Sequence, residues 1–176
     1  MKRLLLALPL LIIAADKPQT LKGWKVIEGE WRSEKNGMAS TLGTLEYEEP
    51  LSKEATLTLR VNIRAWKEGV NGYSYFALYW RHGITGVSRL QVVFNADGRV
   101  RASAYPEQSA IPVQASSCAL GVGTHQITAK ISRTGAQLRV DSQTLQFKMP
   151  TDELGKLCFH TNGPDILLTE AKVKSR

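Results

Sequence analysis

Glu54-Ala55-Thr56-Leu57-Thr58-Leu59-Arg60-Val61-Asn62-Ile63-Arg64-Ala65 alternates residue by residue. Leu57, Leu59, Val61 and Ile63 point one way, and Thr58, Arg60, Asn62 and Arg64 the other. That period of two belongs to a half-buried strand rather than a helix. Beyond it, Gly72 precedes Tyr73–Arg81, an aromatic-rich run of high β propensity. Ser88–Phe94 runs into the turn signal Asn95-Ala96-Asp97-Gly98, and Arg99–Tyr105 returns as its hairpin partner. Thr124–Arg133, Ala136–Val140 and Thr144–Lys148 follow, joined by Thr134-Gly135 and Asp141-Ser142. Gly155–Thr161 then leads through the turn signal Asn162-Gly163-Pro164-Asp165 to a last strand, Ile166–Lys174. No window keeps a 3.6-residue period over three turns, and no internal repeat divides the chain. Short strands at this spacing predict an all-β fold, a sandwich or a barrel, in one domain over residues 23–176.

The first fifteen residues read as a secretory signal peptide. Lys2 and Arg3 form a positive start, Leu4–Ala15 is apolar on all sides, and Ala14-Ala15 offers a cleavage site. The apolar run is shorter than the roughly 20 residues a membrane span needs. No Cys follows it, which argues against a bacterial lipid anchor. Residues 16–22 then serve as a linker. The expectation is an exported bacterial protein, periplasmic or extracellular, with no membrane span in its mature form. Loss of Lys2 and Arg3 takes the formal charge from +7 to +5. The basic residues are scattered, which suits a mildly cationic surface attracted to acidic glycans or cell envelopes and argues against nucleic acid as partner. Cys118 and Cys158 are the two cysteines. In an oxidising compartment a bridge between them would contribute about 4 kcal/mol. Each serves equally as a small buried apolar residue, and the sequence leaves the two alternatives open. Two Cys and three His at wide spacing do not form a zinc motif.

Three groups of residues carry a resemblance. Gly23-Trp24-Lys25-Val26-Ile27-Glu28-Gly29-Glu30-Trp31 resembles the W-x-V-x-x-G-x-W opening of secreted concanavalin A-like sandwich domains. The stretch from His125 to Arg133, followed by Gly135 and Leu138-Arg139-Val140-Asp141-Ser142, resembles their paired hairpins. Gly155-Lys156-Leu157-Cys158-Phe159 with Leu168–Val173 resembles their closing strands. His125 stands where Trp is common, and Ser142 where Gly is usual. The resemblance implies a two-sheet antiparallel β-sandwich of the jelly-roll type. Within the superfamily the chain looks most like 3-keto-disaccharide hydrolase-like and laminin-G-like domains. Arg81 and Gln91 match the hydrolase pattern, but Arg89 stands where that pattern has Glu, which puts the activity in doubt. Fold analogy alone does not assign function.

The residues themselves nominate a face. With Phe76, Leu78 and Trp80 inward, Tyr75, Ala77, Tyr79 and Arg81 face away from the core; with Leu90, Val92 and Phe94 inward, so do Arg89, Gln91 and Val93. Arg99, Arg101, Ser103 and Tyr105 are expected to share that face, with Arg60, Asn62 and Arg64 as an adjoining row. The candidate ligand-binding set is Tyr75, Tyr79, Arg81, Arg89, Gln91, Arg101 and Tyr105. Rings cover the apolar side of a sugar while planar polar groups bond its hydroxyls. The same residues also suit the bland role of half-buried and solubilising sheet positions, and the opposite phase, with the tyrosines inside, stays open. Trp24, Trp31 and Trp66 are expected to pack.

Glycosidase chemistry needs two carboxylates about 5–9.5 Å apart. Strands 73–81 and 88–94 carry none, Asp97 and Asp141 suit turns, and the E-x-D-x-x-E signature of the superfamily's glucanases is absent. Glu46 and Glu48 form the one alternating pair, for which a charged, exposed edge strand is the commoner explanation. His82 and His160 are candidate bases, each explained more simply as a surface or strand-end residue. Asn162 and Asp165 are weak calcium candidates without an acidic cluster, and no other cofactor is implied. The sequence thus leans to a non-catalytic carbohydrate-binding domain with an oligo- or polysaccharide partner. The alternatives are a glycoside hydrolase or lyase of the 3-keto-disaccharide hydrolase kind and an envelope protein-interaction domain.

Overall fold

The alternation in 54–65 is realised as strand β3 (Glu54–Ala65). Leu57, Leu59, Val61 and Ile63 are fully buried, and Arg60 and Arg64 are exposed. The computed structural model describes residues 21–51, 54–81, 89–105, 113–151 and 154–175. The expected signal peptide and His82 lie outside the described residues. Strands β1 (Trp24–Glu34) and β2 (Gly37–Tyr47) precede β3, and β4 (Tyr75–Arg81), β5 (Arg89–Asn95), β6 (Arg99–Tyr105) and β7 (Gln114–Ser117) follow it. The chain continues through β8 (Gly123–Ser132), β9 (Gly135–Val140), β10 (Gln143–Lys148) and β11 (Leu157–Ser175). Every pairing among them is antiparallel. No helix among the described residues is long and apolar enough to cross a membrane.

The long strand β11 organises the two layers. Its residues 157–162 run between β4 and β2, extending a layer that continues through β5, β6 and β7. Its later residues run beside β3, in the layer continued by β8, β9 and β10. Asn162-Gly163-Pro164-Asp165 is therefore a bend inside one strand, not the turn between two strands that its composition suggests. The register slips there against both β2 and β3. Gly163 makes the slip possible with φ at 103°. A bulge of this kind redirects a strand and lets it change sheets.

The inner faces of the layers close on one core. Phe76, Leu78, Trp80 and Phe94 come from one side and Leu57, Leu59, Ile127 and Leu138 from the other, all at most 1% exposed. Phe76 sits at the centre. Its ring stacks on Phe94 at 4.7 Å, on Phe159 at 5.8 Å and on Trp66 at 6.2 Å. Trp24 packs in the same core and donates from Nε1 to the Ala171 carbonyl at 3.1 Å. Trp66 donates to the Leu120 carbonyl at 2.9 Å.

Cys118 and Cys158 are buried thiols not joined to each other. Cys118 belongs to the core, where burial first and then the charge of Asp141 push its pKa up. Cys158 alternates with the core residues Leu157 and Phe159, so it faces the other side of its sheet. Of the two alternatives left open by the sequence, the structure has the unbridged one.

The turn between β9 and β10 shows how local chemistry fixes a connection. Asp141 adopts φ of 51°, a left-handed conformation that Asp tolerates better than most residues. Its Oδ1 accepts the Gln126 N–H at 2.9 Å, and its Oδ2 lies 2.8 Å from His125 Nδ1. His125 Nε2 reaches the Gly121 carbonyl at 2.9 Å. Burial alone would raise the Asp141 pKa, but the bonds from His125 and Gln126 outweigh it and hold the carboxyl below its usual range. A lowered folded pKa means stability present above the unfolded value, near 3.9, and lost as pH falls through the folded one. Asp141→Asn keeps the backbone conformation and removes the charge. At neutral pH it should cost about 1 kcal/mol, since the carboxylate is half exposed and screened. Urea unfolding at a series of pH values checks this: the gap between variant and parent should close in acid.

Candidate functional site

The face predicted from alternation exists on the layer that contains β4, β5 and β6. Phe76, Leu78 and Trp80 are buried in the core, so Tyr75, Ala77 and Tyr79 face outward. Register then assembles cross-strand rows. One row runs Ser103–Gln91–Tyr79–Cys158–Glu46 across β6, β5, β4, β11 and β2. The next runs Arg101–Val93–Ala77–His160–Thr44 and ends on Glu28 of β1. Tyr75 lies one position further, between Asn95 and Asn162.

The face is polar yet well covered. Thr44, Cys158 and Ala77 are at most 3% exposed and Tyr79 only 5%, while Tyr75, Gln91 and His160 are half-buried and Arg101 is exposed. Gln91 Nε2 donates to Ser103 Oγ at 3.1 Å. The Tyr75 ring rests 5.7 Å from the His160 ring. His160 Nδ1 lies 2.9 Å from Thr44 Oγ1, which in turn donates to Glu28 Oε2 at 3.2 Å. A hydroxyl has one proton to give. With that proton directed at Glu28, the Thr44 oxygen accepts from His160 Nδ1–H, which fixes the imidazole orientation.

Glu46 closes the adjoining row. Its carboxylate is 7% exposed and meets Lys156 at 3.0 Å and Lys25 at 3.2 Å. Burial would raise its pKa, but the bonds from Lys156 and Lys25 prevail and lower it. Glu46 is thus held ionised and is no proton donor at neutral pH. Glu48 falls beyond the end of β2 and is exposed, so the alternating pair Glu46/Glu48 is not a catalytic pair in space.

Of the residues nominated from sequence, Tyr75, Tyr79, Gln91 and Arg101 share this face. Arg81, Arg89 and Tyr105 form one further row by backbone register, which is the extent of their description. Arg60, Asn62 and Arg64 do not adjoin it. They lie on β3, in the other layer, because β11 switches sheets between β4 and β3. Asn162 and Asp165, considered for calcium, instead hold a loop. Asn162 Oδ1 accepts the Val70 N–H at 2.8 Å, and Asp165 pairs with Lys67 at 3.2 Å. No group of three His, Cys, Asp or Glu able to hold a metal occurs among the described residues. The sequence missed Thr44 and Glu28 as His160 partners because they come from distant strands. Alternation of Leu157, Phe159 and Thr161 was the signal that His160 faces outward.

No family model and no curated protein sequence matches this chain. Solved structures do. The carbohydrate-binding module CBM66 from Bacillus subtilis superposes with a TM-score of 0.68 at 11% identity, over 88% of this chain and 97% of that one. The metal-free Emp46p carbohydrate recognition domain gives 0.64 at 13%, over 94% of each chain. Trypanosoma rangeli sialidase gives 0.59 at 15%, over 85% of this chain but 26% of the sialidase. At such identities the likeness speaks for architecture alone, and that architecture is the concanavalin A-like antiparallel sandwich expected from the sequence motifs.

Proposed function

We propose that this chain is an exported, non-catalytic carbohydrate-binding sandwich that holds a saccharide on the outer face of the layer containing β4, β5 and β6. The observation that carries the reading is the half-buried Tyr75–His160 ring pair beside the half-buried Gln91 amide, which Ser103 holds in place. Such a surface covers the C–H side of a sugar ring and meets its hydroxyls with oriented partners. The fold likeness to a carbohydrate-binding module and a carbohydrate recognition domain supports it. Catalysis by paired carboxylates is disfavoured on this face, because Glu46 is neutralised by two lysines and Glu28 is engaged with Thr44.

Calorimetric titration against a panel of neutral and acidic oligosaccharides tests the reading. Salt of about 0.1 M and about 1 M separates shape-specific binding from charge attraction, since the Debye length falls from about 10 to about 3 Å. A defined oligosaccharide should bind at both concentrations. Tyr75→Ala should weaken it about tenfold, or about 1.4 kcal/mol, with the melting temperature showing an intact fold. Unchanged affinity would remove this face from the account.

The chain Glu28–Thr44–His160 favours a second reading, a glycoside-processing enzyme with the oriented imidazole as base. Arg89, where the hydrolase pattern has Glu, counts against it. Turnover of a 3-keto-glycoside that is lost in His160→Ala would establish that reading in place of binding alone.

A further inference from the structure

The opposite layer carries a groove that the saccharide face does not use. It is open, of about 740 Å³, and lies across one end of β3, β8, β9, β10 and the close of β11. Register places Lys174, Thr56, Lys130, Gln137 and Gln146 in a single row across all five strands. Lys130, Lys174, Gln137 and Gln146 are exposed, Thr56 is half-buried, and Lys148 stands exposed two residues beyond Gln146 on the same strand. Four strand spacings separate β11 from β10, so the row spans about 19 Å at 4.8 Å per spacing.

The chemistry of the row is one-sided. Every residue in it bears a hydrogen-bond donor, and none bears a carboxylate or an aromatic ring. Lys130, Lys148 and Lys174 make no ion pair among the described residues, whereas the neighbouring Lys172 is paired with Glu170 at 2.8 Å. Solvated protein surfaces ordinarily interleave charges of both signs. Lysine on the edge strand β10 is explained by protection against edge pairing. Lys130 is not, because β8 has two strands on either side. Among the described residues Glu54 is the one acid lining the groove, and it lies outside the row. The floor is kept low at Gly135, where a Cβ would lie 2.0 Å from the Phe147 carbonyl oxygen.

We propose that this groove is a second binding site and that its ligand is an acidic polysaccharide, a chain of sugars carrying carboxylate or sulfate groups. The three lysines meet separated charges along an extended polymer, and Thr56, Gln137 and Gln146 hydrogen-bond its hydroxyls and acid oxygens. Among the described residues the groove presents no exposed ring, so recognition is expected to rest on charge and hydrogen bonds and to fall with salt. It also separates this site from the Tyr75 face, whose binding is expected to resist salt.

The test uses the full mature chain with polygalacturonate, dextran sulfate, neutral dextran and phosphatidylglycerol vesicles as probes. The parent should bind polygalacturonate or dextran sulfate and not neutral dextran. The triple variant Lys130→Gln, Lys148→Gln, Lys174→Gln should bind the acidic polymer at least tenfold more weakly, with an unchanged melting temperature. Glu54→Gln, which removes the carboxylate at this end of the groove, should bind it more tightly. Tyr75→Ala should bind it as the parent does, so loss of the saccharide face and loss of the groove are told apart. Equal binding by parent and triple variant would overturn the proposal. So would attachment to the vesicles with no binding to either acidic polymer, which would identify an anionic membrane surface as the partner.

Discussion

Phe76→Ala is expected to remove about 4 kcal/mol of stability, a substantial share of the roughly 5–15 kcal/mol that a domain possesses. The residue is fully buried, and its ring meets Phe94, Phe159 and Trp66 at once. Phe159 belongs to β11, Phe94 to β5, and Trp66 follows β3, so the ring ties both layers and the strand that joins them. Truncation forfeits the transfer of the ring from water, leaves a cavity, and breaks three aromatic contacts of about 1 kcal/mol each in part. Phe76→Leu refills most of the space and should cost far less, about 1 kcal/mol. Urea unfolding followed by tryptophan fluorescence checks both. A midpoint for Phe76→Ala close to that of the parent would mean that the core is not organised around this ring.

Gly163→Ala is the second large effect, expected near 3 kcal/mol. At φ of 103° an L side chain is strained wherever it sits. Here the space is closed as well: a Cβ would lie 2.5 Å from the Lys67 carbonyl oxygen and 2.7 Å from the Gly69 nitrogen. Both are backbone atoms, so no rotamer change relieves the clash. Either β11 shifts its register or the 66–73 loop lifts away, and the loop is what Asn162 fastens through Val70 and Tyr73. Gly121→Ala is the matched control. A Cβ there meets nothing within 4 Å, and the substitution should stay within about 0.5 kcal/mol of the parent. Thermal melting of the two variants side by side separates them; similar melting temperatures would contradict the bend as a point of strain.

The same bend marks where sequence reading stops. The strand at 54–65 was legible because one buried face and one wet face impose a strict alternation. The turn at 95–98 was legible because Asn95 and Asp97 bond the Arg99 backbone while Gly98 takes a positive φ. Asn-Gly-Pro-Asp has the composition of a reversing turn, yet the same residues equally permit a strand to bend and carry on. Local chemistry cannot distinguish the two outcomes; long-range pairing with β2, β3 and β4 does. Strand β1 was hard to read for another reason. It is exposed on both sides over most of its length, so Val26 and Ile27 are accessible and no alternation develops.

The candidate site divides in a similar way. Tyr75, Tyr79, Gln91 and Arg101 followed from alternation once the phase of β4 was fixed by Phe76, Leu78 and Trp80. Sheet order was not available to the same reasoning, which set Arg60, Asn62 and Arg64 beside the tyrosines when they belong to the opposite layer. His160 and Thr44 meet across a separation of 116 residues, a contact that no periodicity encodes. The groove on the second layer is of the same kind. Lys130 and Lys174 each look like an ordinary exposed strand lysine until register sets them in one row.

The most direct test of the saccharide face is a backbone-amide NMR titration of the isotope-labelled protein, using the oligosaccharide that binds most tightly in salt. The account predicts that the amides of Tyr75, Gln91, Ser103 and His160 shift together and saturate with one affinity, while those of β8, β9 and β10 stay in place. Shifts confined to other surfaces, with those four amides unmoved at saturation, would contradict it.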